Sequence, residues 1–455
     1  MDGSAPLAQL APGTLLAFLV AVVLLLLVAR VLGRLAERLG LPAIVGELLA
    51  GVLLGPSLLG QVAPGFWSWL LKGPEQIHLL DAVAQLGVLL LVGITGTHLD
   101  IPGLRRRGLA AATISGTGLV IPLVSGVALG LVLPATVVGG DSDRGVFALY
   151  LGVAMCVSAI PVIAKTLSDM RLLHRNIGQL TLAAGMVDDA VGWLLLSVVS
   201  AAATVGVSAS GVTLSVVYLI AFVLLSATVG RVLVRRTMVL TTRSDESGPT
   251  VAAAVIIILL GAVITHSLRL EPIFGAFVAG ILLTSSRAAQ VRLAPLRTIV
   301  MSVLAPLFIA TAGLRMDLTA LARPAVALTA VAVVLVAIAG KFAGAYLGAR
   351  LSRLTRWEAL ALGAGMNARG VVEVVVALTG LRLGVLNTAA YTIIVLVAIV
   401  TSVMAPPLLR LSMARVEYGE DERLRRIDHE TWHATVPERP APDRAEPPAQ
   451  GRPDA

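Results

Sequence analysis

Thr181-Leu182-Ala183-Ala184-Gly185-Met186-Val187-Asp188-Asp189-Ala190-Val191-Gly192-Trp193 is the stretch on which the reading of this chain turns. Two adjacent acids stand inside an otherwise apolar run. If that run crosses a bilayer, a carboxylate at mid-membrane costs about 2.5–3.5 kcal/mol even on the cheaper insertion scales, and a pair demands a reason. Neighbouring positions on a helix point about 100° apart. One carboxylate can therefore meet a partner on another helix while the other faces a water-filled cavity. Two close acids also resist double ionisation and titrate as a unit. A site that holds a proton and a cation in turn needs this property, because oxygens that bind the cation must first lose their proton.

The membrane premise follows from composition. Of the 455 residues, 57% are hydrophobic and 14% charged, and the mean hydropathy is +0.91. A soluble domain carries about 25% charge. Apolar runs long enough to cross a hydrocarbon core of roughly 30 Å recur from position 14 to position 412. Thirteen spans are predicted, at 14–37, 42–60, 76–98, 106–134, 146–167, 176–203, 211–236, 249–267, 271–286, 294–314, 324–350, 357–380 and 388–411. The chain reads as an all-α polytopic membrane protein whose first partner is the lipid bilayer. Residues 1–411 form the membrane domain, and 412–455, charged and Pro-rich, form a solvated, disordered cytoplasmic tail. The N-terminus lacks a basic leader region, and its first apolar run is too long for a signal peptide.

The net charge of +8 does not imply nucleic acid. A nucleic-acid binder gathers its basic residues on one soluble face with interleaved aromatics, whereas here most Arg sit in short connectors and aromatics are only 4%. Connectors after odd-numbered spans hold nineteen Lys and Arg; those after even-numbered spans hold six. Cytoplasmic loops are the basic ones, which puts the N-terminus outside and the C-terminus in the cytoplasm, in the cell (plasma) membrane. The single cysteine, Cys156, rules out an intrachain disulfide.

Thirteen spans divide as six, one and six, and the odd offset inverts the second half. The fifth span of each half carries helix breakers: Ser158-Ala159-Ile160-Pro161 and Gly363-Ala364-Gly365-Met366-Asn367-Ala368-Arg369-Gly370. Interrupted helices at matching places in inverted halves point to a transporter binding site, a rule whose stock examples already include a sodium/proton antiporter. Around these breaks stand the other candidates. Lys341 is the only Lys well inside a span, about 13 Å from its basic end, too deep for easy snorkelling. It needs an anion, and Asp188 or Asp189 is the obvious one. Arg369 and Glu373 lie four apart on one helix face and serve either as a structural ion pair or in ion handling. Glu47 lines a cavity or makes an interhelical hydrogen bond. Ser158 and Asn367 offer oxygens at the breaks. Asp81, His98 and Asp100 lie near span ends, where water solvates them.

Six segments, in order, resemble the cation:proton antiporter 2 family, with the sodium/hydrogen exchanger fold: Gly46–Gly60 (GELLAGVLLGPSLLG), Ser158–Val162 (SAIPV), Val187–Asp189, Ile273–Gly280 (IFGAFVAG), Thr311–Leu318 (TAGLRMDL) and Asn367–Ala377 (NARGVVEVVVA). The likeness covers about residues 14–411. It implies a monovalent cation (Na+ or K+)/proton antiporter, with two crossed discontinuous helices in a core that moves against a dimerisation part, in a homodimer. It also implies Asp189 as the main ion and proton carboxylate and Asp188 as the partner of Lys341. The chain departs from the pattern at Gly96-Thr97-His98-Leu99-Asp100, where His98 replaces an acid. No GxGxxG nucleotide-binding domain follows the last span, so neither a cofactor nor nucleotide regulation is expected.

Three other classes stand against this one. A proton-coupled exporter of an organic or ionophore-like compound on the same fold would need a larger apolar cavity near span 12. A channel would need a selectivity-filter loop, and nothing resembles one. An enzyme would need a metal-ligand cluster or a nucleophile motif.

Overall fold

The computed structural model describes residues 11–71, 73–97, 108–140, 142–205, 209–242, 246–284, 291–417, 419 and 422. His98, Asp100 and most of the tail lie outside them. Among the described residues the chain is helical without a strand; one isolated bridge joins Val138 to Leu386.

The helices in order are α1 (Pro12–Arg38), α2 (Ala43–Leu54), the short α3 (Leu59–Val62) and α4 (Pro64–Leu71), α5 (Pro74–Gly96) and α6 (Gly108–Val132). Then come α7 (Arg144–Cys156), α8 (Ile160–Asp169), α9 (Asn176–Val205), α10 (Ala209–Leu225), α11 (Arg231–Thr241), α12 (Gly248–Ser267) and α13 (Pro272–Leu283). The last are α14 (Ala294–Ile299), α15 (Ala305–Leu314), α16 (Pro324–Leu351), α17 (Arg356–Met366), α18 (Val371–Arg382) and α19 (Thr388–Met413). π turns join α10 to α11 and α14 to α15. Among the described residues, eleven spans are long and apolar enough to cross a bilayer, or twelve when the pair α17–α18, bent by 44°, is taken as one. The predicted span at 271–286 corresponds to α13, whose twelve residues reach about 18 Å, short of a hydrocarbon core of roughly 30 Å.

Both predicted interruptions are present, for local reasons. After Cys156 the chain runs extended through Val157 and Ala159, and Pro161 is pre-set for the first turn of α8, where its missing N–H costs nothing. The second break runs from Asn367 to Gly370. A Cβ at Gly370 would press on the Val162 side chain, because the two breaks lie against each other. The Ala159 N–H donates to the Ala368 carbonyl (3.3 Å), and Ser158 Oγ lies 3.1 Å from the Met366 carbonyl.

The helices pack in two groups. In one, α6 lies along α7 and α16, and α9, α17, α18 and α19 close around them. In the other, α1 packs on α2, α2 on α15, α12 on α13 and α13 on α5. Backbones in the second group approach very closely: a Cβ at Gly51 would fall on the Ala310 carbonyl oxygen, and one at Gly313 on that of Leu48. Small residues that let backbones meet are the packing currency of membrane helices. Two ion pairs tie the groups at opposite ends of α9. Glu37–Lys165 (3.5 Å) lies near its start and Glu271–Arg382 (3.6 Å) near its finish. After α19, Glu422 returns to the start of α9, where it pairs with Arg175 (3.0 Å) and accepts from the Asn176 N–H (2.6 Å). Burial pushes the Glu422 carboxyl up, but the Asn176 and Gly419 amides and the Arg175 charge outweigh it and hold it below its usual range.

Candidate ion-exchange site

Helix α9 carries Asp188 and Asp189 into the first group, where both are fully buried. Their surroundings differ. Asp188 is saturated: Oδ1 accepts from Ser115 Oγ on α6 (2.5 Å), and Oδ2 accepts from Ser158 Oγ (2.9 Å) and from Lys341 Nζ on α16. Lys341, also fully buried, donates in addition to the Cys156 carbonyl (2.6 Å) at the end of α7. A helix end leaves its last carbonyls without partners and bears partial negative charge, so a cation belongs there.

Asp189 is the opposite case. Neither of its carboxylate oxygens has a hydrogen-bond partner among the described residues. The Ile160 N–H, at the start of α8, lies close to it but outside standard hydrogen-bond geometry. A buried anion in that position must gain a proton or a cation. One acid is fixed; the other is available.

Of the remaining sequence candidates, Ser158, expected to offer an oxygen at the break, donates to Asp188. Arg369 does pair with Glu373 (3.3 Å), but its guanidinium chiefly serves carbonyls. Nη1 donates to Ala154 (3.0 Å), and Nη2 to Met155 and to Ala337 (3.1 Å). The end of α7 is thus capped by Lys341 from α16 and by Arg369 from the second break. Glu373 Oε2 is buried without a hydrogen-bond partner among the described residues. Asn367 turns its amide to the Ile338 carbonyl (3.1 Å), while its Oδ1 is buried and has no hydrogen-bond partner among the described residues. Glu47 is not drawn into the cluster: it packs on Gly33 of α1, with Arg30 and Glu37 as its charged neighbours. Asp81 is held by Arg315 of α15.

Sequence reading missed Ser115, because a lone serine in a span is ordinary. It also missed a vestibule of about 520 Å³ at the far end of α9, between the two helix groups. Ser200, Thr204, His266, Glu271, Thr379 and Arg382 help to line it.

A family model described as the transmembrane sodium/hydrogen exchanger matches residues 20–413. The chain is 30% identical over 401 residues to the Na(+)/H(+) antiporter NhaS4 of Synechocystis, covering 87% of this chain and 97% of that one. It is 28% identical over 418 residues to the Cation/H(+) antiporter 19 of Arabidopsis thaliana, covering 90% of this chain and 52% of that one. Against several such plant relatives it spans about half their length. Among solved structures, the sodium proton antiporter MjNhaP1 of Methanocaldococcus jannaschii aligns with a TM-score of 0.65 at 18% identity, over 88% of this chain and 97% of that one; this likeness concerns the fold. The chain belongs to the sodium/hydrogen exchanger family. It is a membrane antiporter in class, not an enzyme.

Proposed function

We propose that this chain exchanges a monovalent cation, Na+ or K+, for H+ by alternating access, with Asp189 holding proton and cation in turn. The contrast between the two acids carries this reading: among the described residues Asp188 has three hydrogen-bond donors and Asp189 none of standard geometry. A carboxylate already held by an ammonium and two hydroxyls is a poor site for a second cation. A bare one beside it, at a helix N-terminus, binds a proton when sealed and a cation when wetted. Asp188 and Lys341 set the field in which it does so. Lys341 competes with the cation electrostatically, so cation entry and proton release are coupled. Arg369 and Glu373 support the broken helices, and Asn367 Oδ1 offers an uncommitted oxygen nearby. The exporter reading has less support, since the relatives are named for cations.

The wider setting belongs to the same proposal. The first helix group is the moving part and the second the static, dimerising part of a homodimer in the plasma membrane, built as inverted halves of thirteen spans. The Arg-rich connectors support a cytoplasmic C-terminus.

Reconstitution in liposomes under an imposed pH gradient tests the exchange. Na+, K+ or Li+ should dissipate the gradient, read from a pH-sensitive dye, and Asp189→Asn should abolish that response. Intact vesicles with folded protein and no response to any of the three would sink the antiport reading. Normal exchange by Asp189→Asn would sink the residue assignment.

A further inference from the structure

Asp189, Trp193, Ser197 and Ser200 follow one another on α9 at intervals of four, four and three. At 3.6 residues per turn they share an arc of about 80° and climb about 16 Å. Each is buried, none more than 5% exposed. Among the described residues both Asp189 oxygens, Trp193 Nε1 and Ser197 Oγ lack hydrogen-bond partners, and Ser200 Oγ has beside it only the Tyr150 hydroxyl, which itself donates to the Val376 carbonyl. Serine in a helix usually returns its hydroxyl to the preceding turn. Thr181 and Thr204 on this same helix do so, to Ile177 (2.7 Å) and Ser200 (3.2 Å). Ser197 and Ser200 do not, although an unpaired buried hydroxyl costs about 1–3 kcal/mol.

The row has a direction. At its far end Ser200 lines the vestibule with Glu271. At its near end stands Asp189. Between them the Trp193 ring meets Phe277 of α13 (centroids 6.3 Å apart, planes at 47°), so the row runs along the boundary between the helix groups and closes where an aromatic of each meets the other.

We propose that this face of α9 is one half of the cation's route: the ion passes from the vestibule at Glu271 along Ser200 and Ser197, beneath the Trp193–Phe277 contact, to Asp189. The inference rests on the antiport reading and adds to it which residues the cation meets and at which end of α9 it meets them. Hydroxyls of this kind replace part of a hydration shell as a small cation sheds it, and a ring face tolerates a passing cation. Packing alone asks only that the side chains be small and leaves their hydroxyls without a purpose.

Cys156 is the only cysteine, so Cys156→Ala gives a thiol-free background. Into it are placed Ser200→Cys, Ser197→Cys and, on the opposite face of α9, Val198→Cys. Proteoliposomes are exposed to a membrane-impermeant, positively charged methanethiosulfonate, and labelling is followed by intact mass. Ser200→Cys should react fastest and Ser197→Cys more slowly. Both should outpace Val198→Cys, which faces away from the route, by about tenfold or more, given the cost of bringing a charged reagent through apolar surroundings. Saturating Na+ or K+ should slow the reaction at Ser197→Cys. No reaction at Ser197→Cys, or reaction no faster than at Val198→Cys, overturns the route. If Ser197→Cys fails to fold, Trp193→Cys carries the same comparison. Labelling reads access rather than exchange: fast labelling in protein that moves no cation leaves the route standing and overturns the antiport reading instead.

Discussion

The two helix groups solve the problem of cohesion in bilayer in opposite ways. The group built on α1, α2, α5, α12, α13 and α15 holds by backbone against backbone, at Gly51 on Ala310 and Gly313 on Leu48, and its Asp81–Arg315 pair is partly exposed. The group built on α6, α7, α9, α16 and α17–α19 buries Asp188, Asp189, Lys341, Arg369 and Glu373 with almost no exposure. Every partner of its four paired charges lies inside that same group. It can therefore shift as a body without stripping a buried ion of its counter-charge. Close backbone packing makes a frame; internal pairing makes a cargo holder.

The largest test of that contrast is Lys341→Ala. Removing one partner of a buried pair costs about 3–5 kcal/mol, because the other is left uncompensated. A matching fall in thermal stability is expected together with loss of exchange, and Asp188→Asn/Lys341→Met should recover much of the stability but not the transport. If the single variant melts like the parent, the internal-pairing account fails. Next is Arg369→Gln, which strips the Ala154, Met155 and Ala337 carbonyls of a charged donor. A loss of about 2–3 kcal/mol is expected, on the scale of hydrogen bonds to charged groups. An unchanged unfolding midpoint would count against the capping role. In the frame, Gly51→Ala drives a methyl onto backbone and should cost about 1–3 kcal/mol, with exchange per folded molecule retained. If it abolished exchange at full stability, the frame would be part of the chemistry.

The smallest expected effect concerns Glu422, which fastens the segment after α19 to the start of α9. Its carboxyl is held below the ordinary 4.5. The sign follows: the contact contributes stability above the unfolded value, and that contribution fades as pH falls through the lower folded one. Protease cleavage of the tail should therefore accelerate only under acid, and Glu422→Gln should cleave faster at neutral pH. Identical cleavage of variant and parent at neutral pH would break this link.

Much of this was legible beforehand. Asp188, Asp189 and Lys341 stand out because an ion inside an apolar run has to be explained, and the two breaks because proline and glycine interrupt helices locally. The Arg369–Glu373 pair was visible as a four-residue spacing, yet the guanidinium's chief partners are carbonyls of α7 and α16, which no spacing encodes. Ser115 was invisible for a like reason: its role depends on which helix lies opposite. Glu47 was read as lining a cavity or making an interhelical hydrogen bond, and its packing against Gly33 of α1 depends on a neighbour that sequence does not encode. The polar row on α9 was in principle readable at 189, 193, 197 and 200. Hydroxyls that could bond their own helix attract no attention until they are seen not to.

The two pairs that join the groups, Glu37–Lys165 and Glu271–Arg382, have at least one partner largely open to solvent. Exposed pairs of this sort contribute about 0–1 kcal/mol each, hardly more than thermal energy. They make light fastenings, one at either mouth. Added electrolyte screens both alike, so raising ionic strength should ease the passage between conformations while favouring neither side.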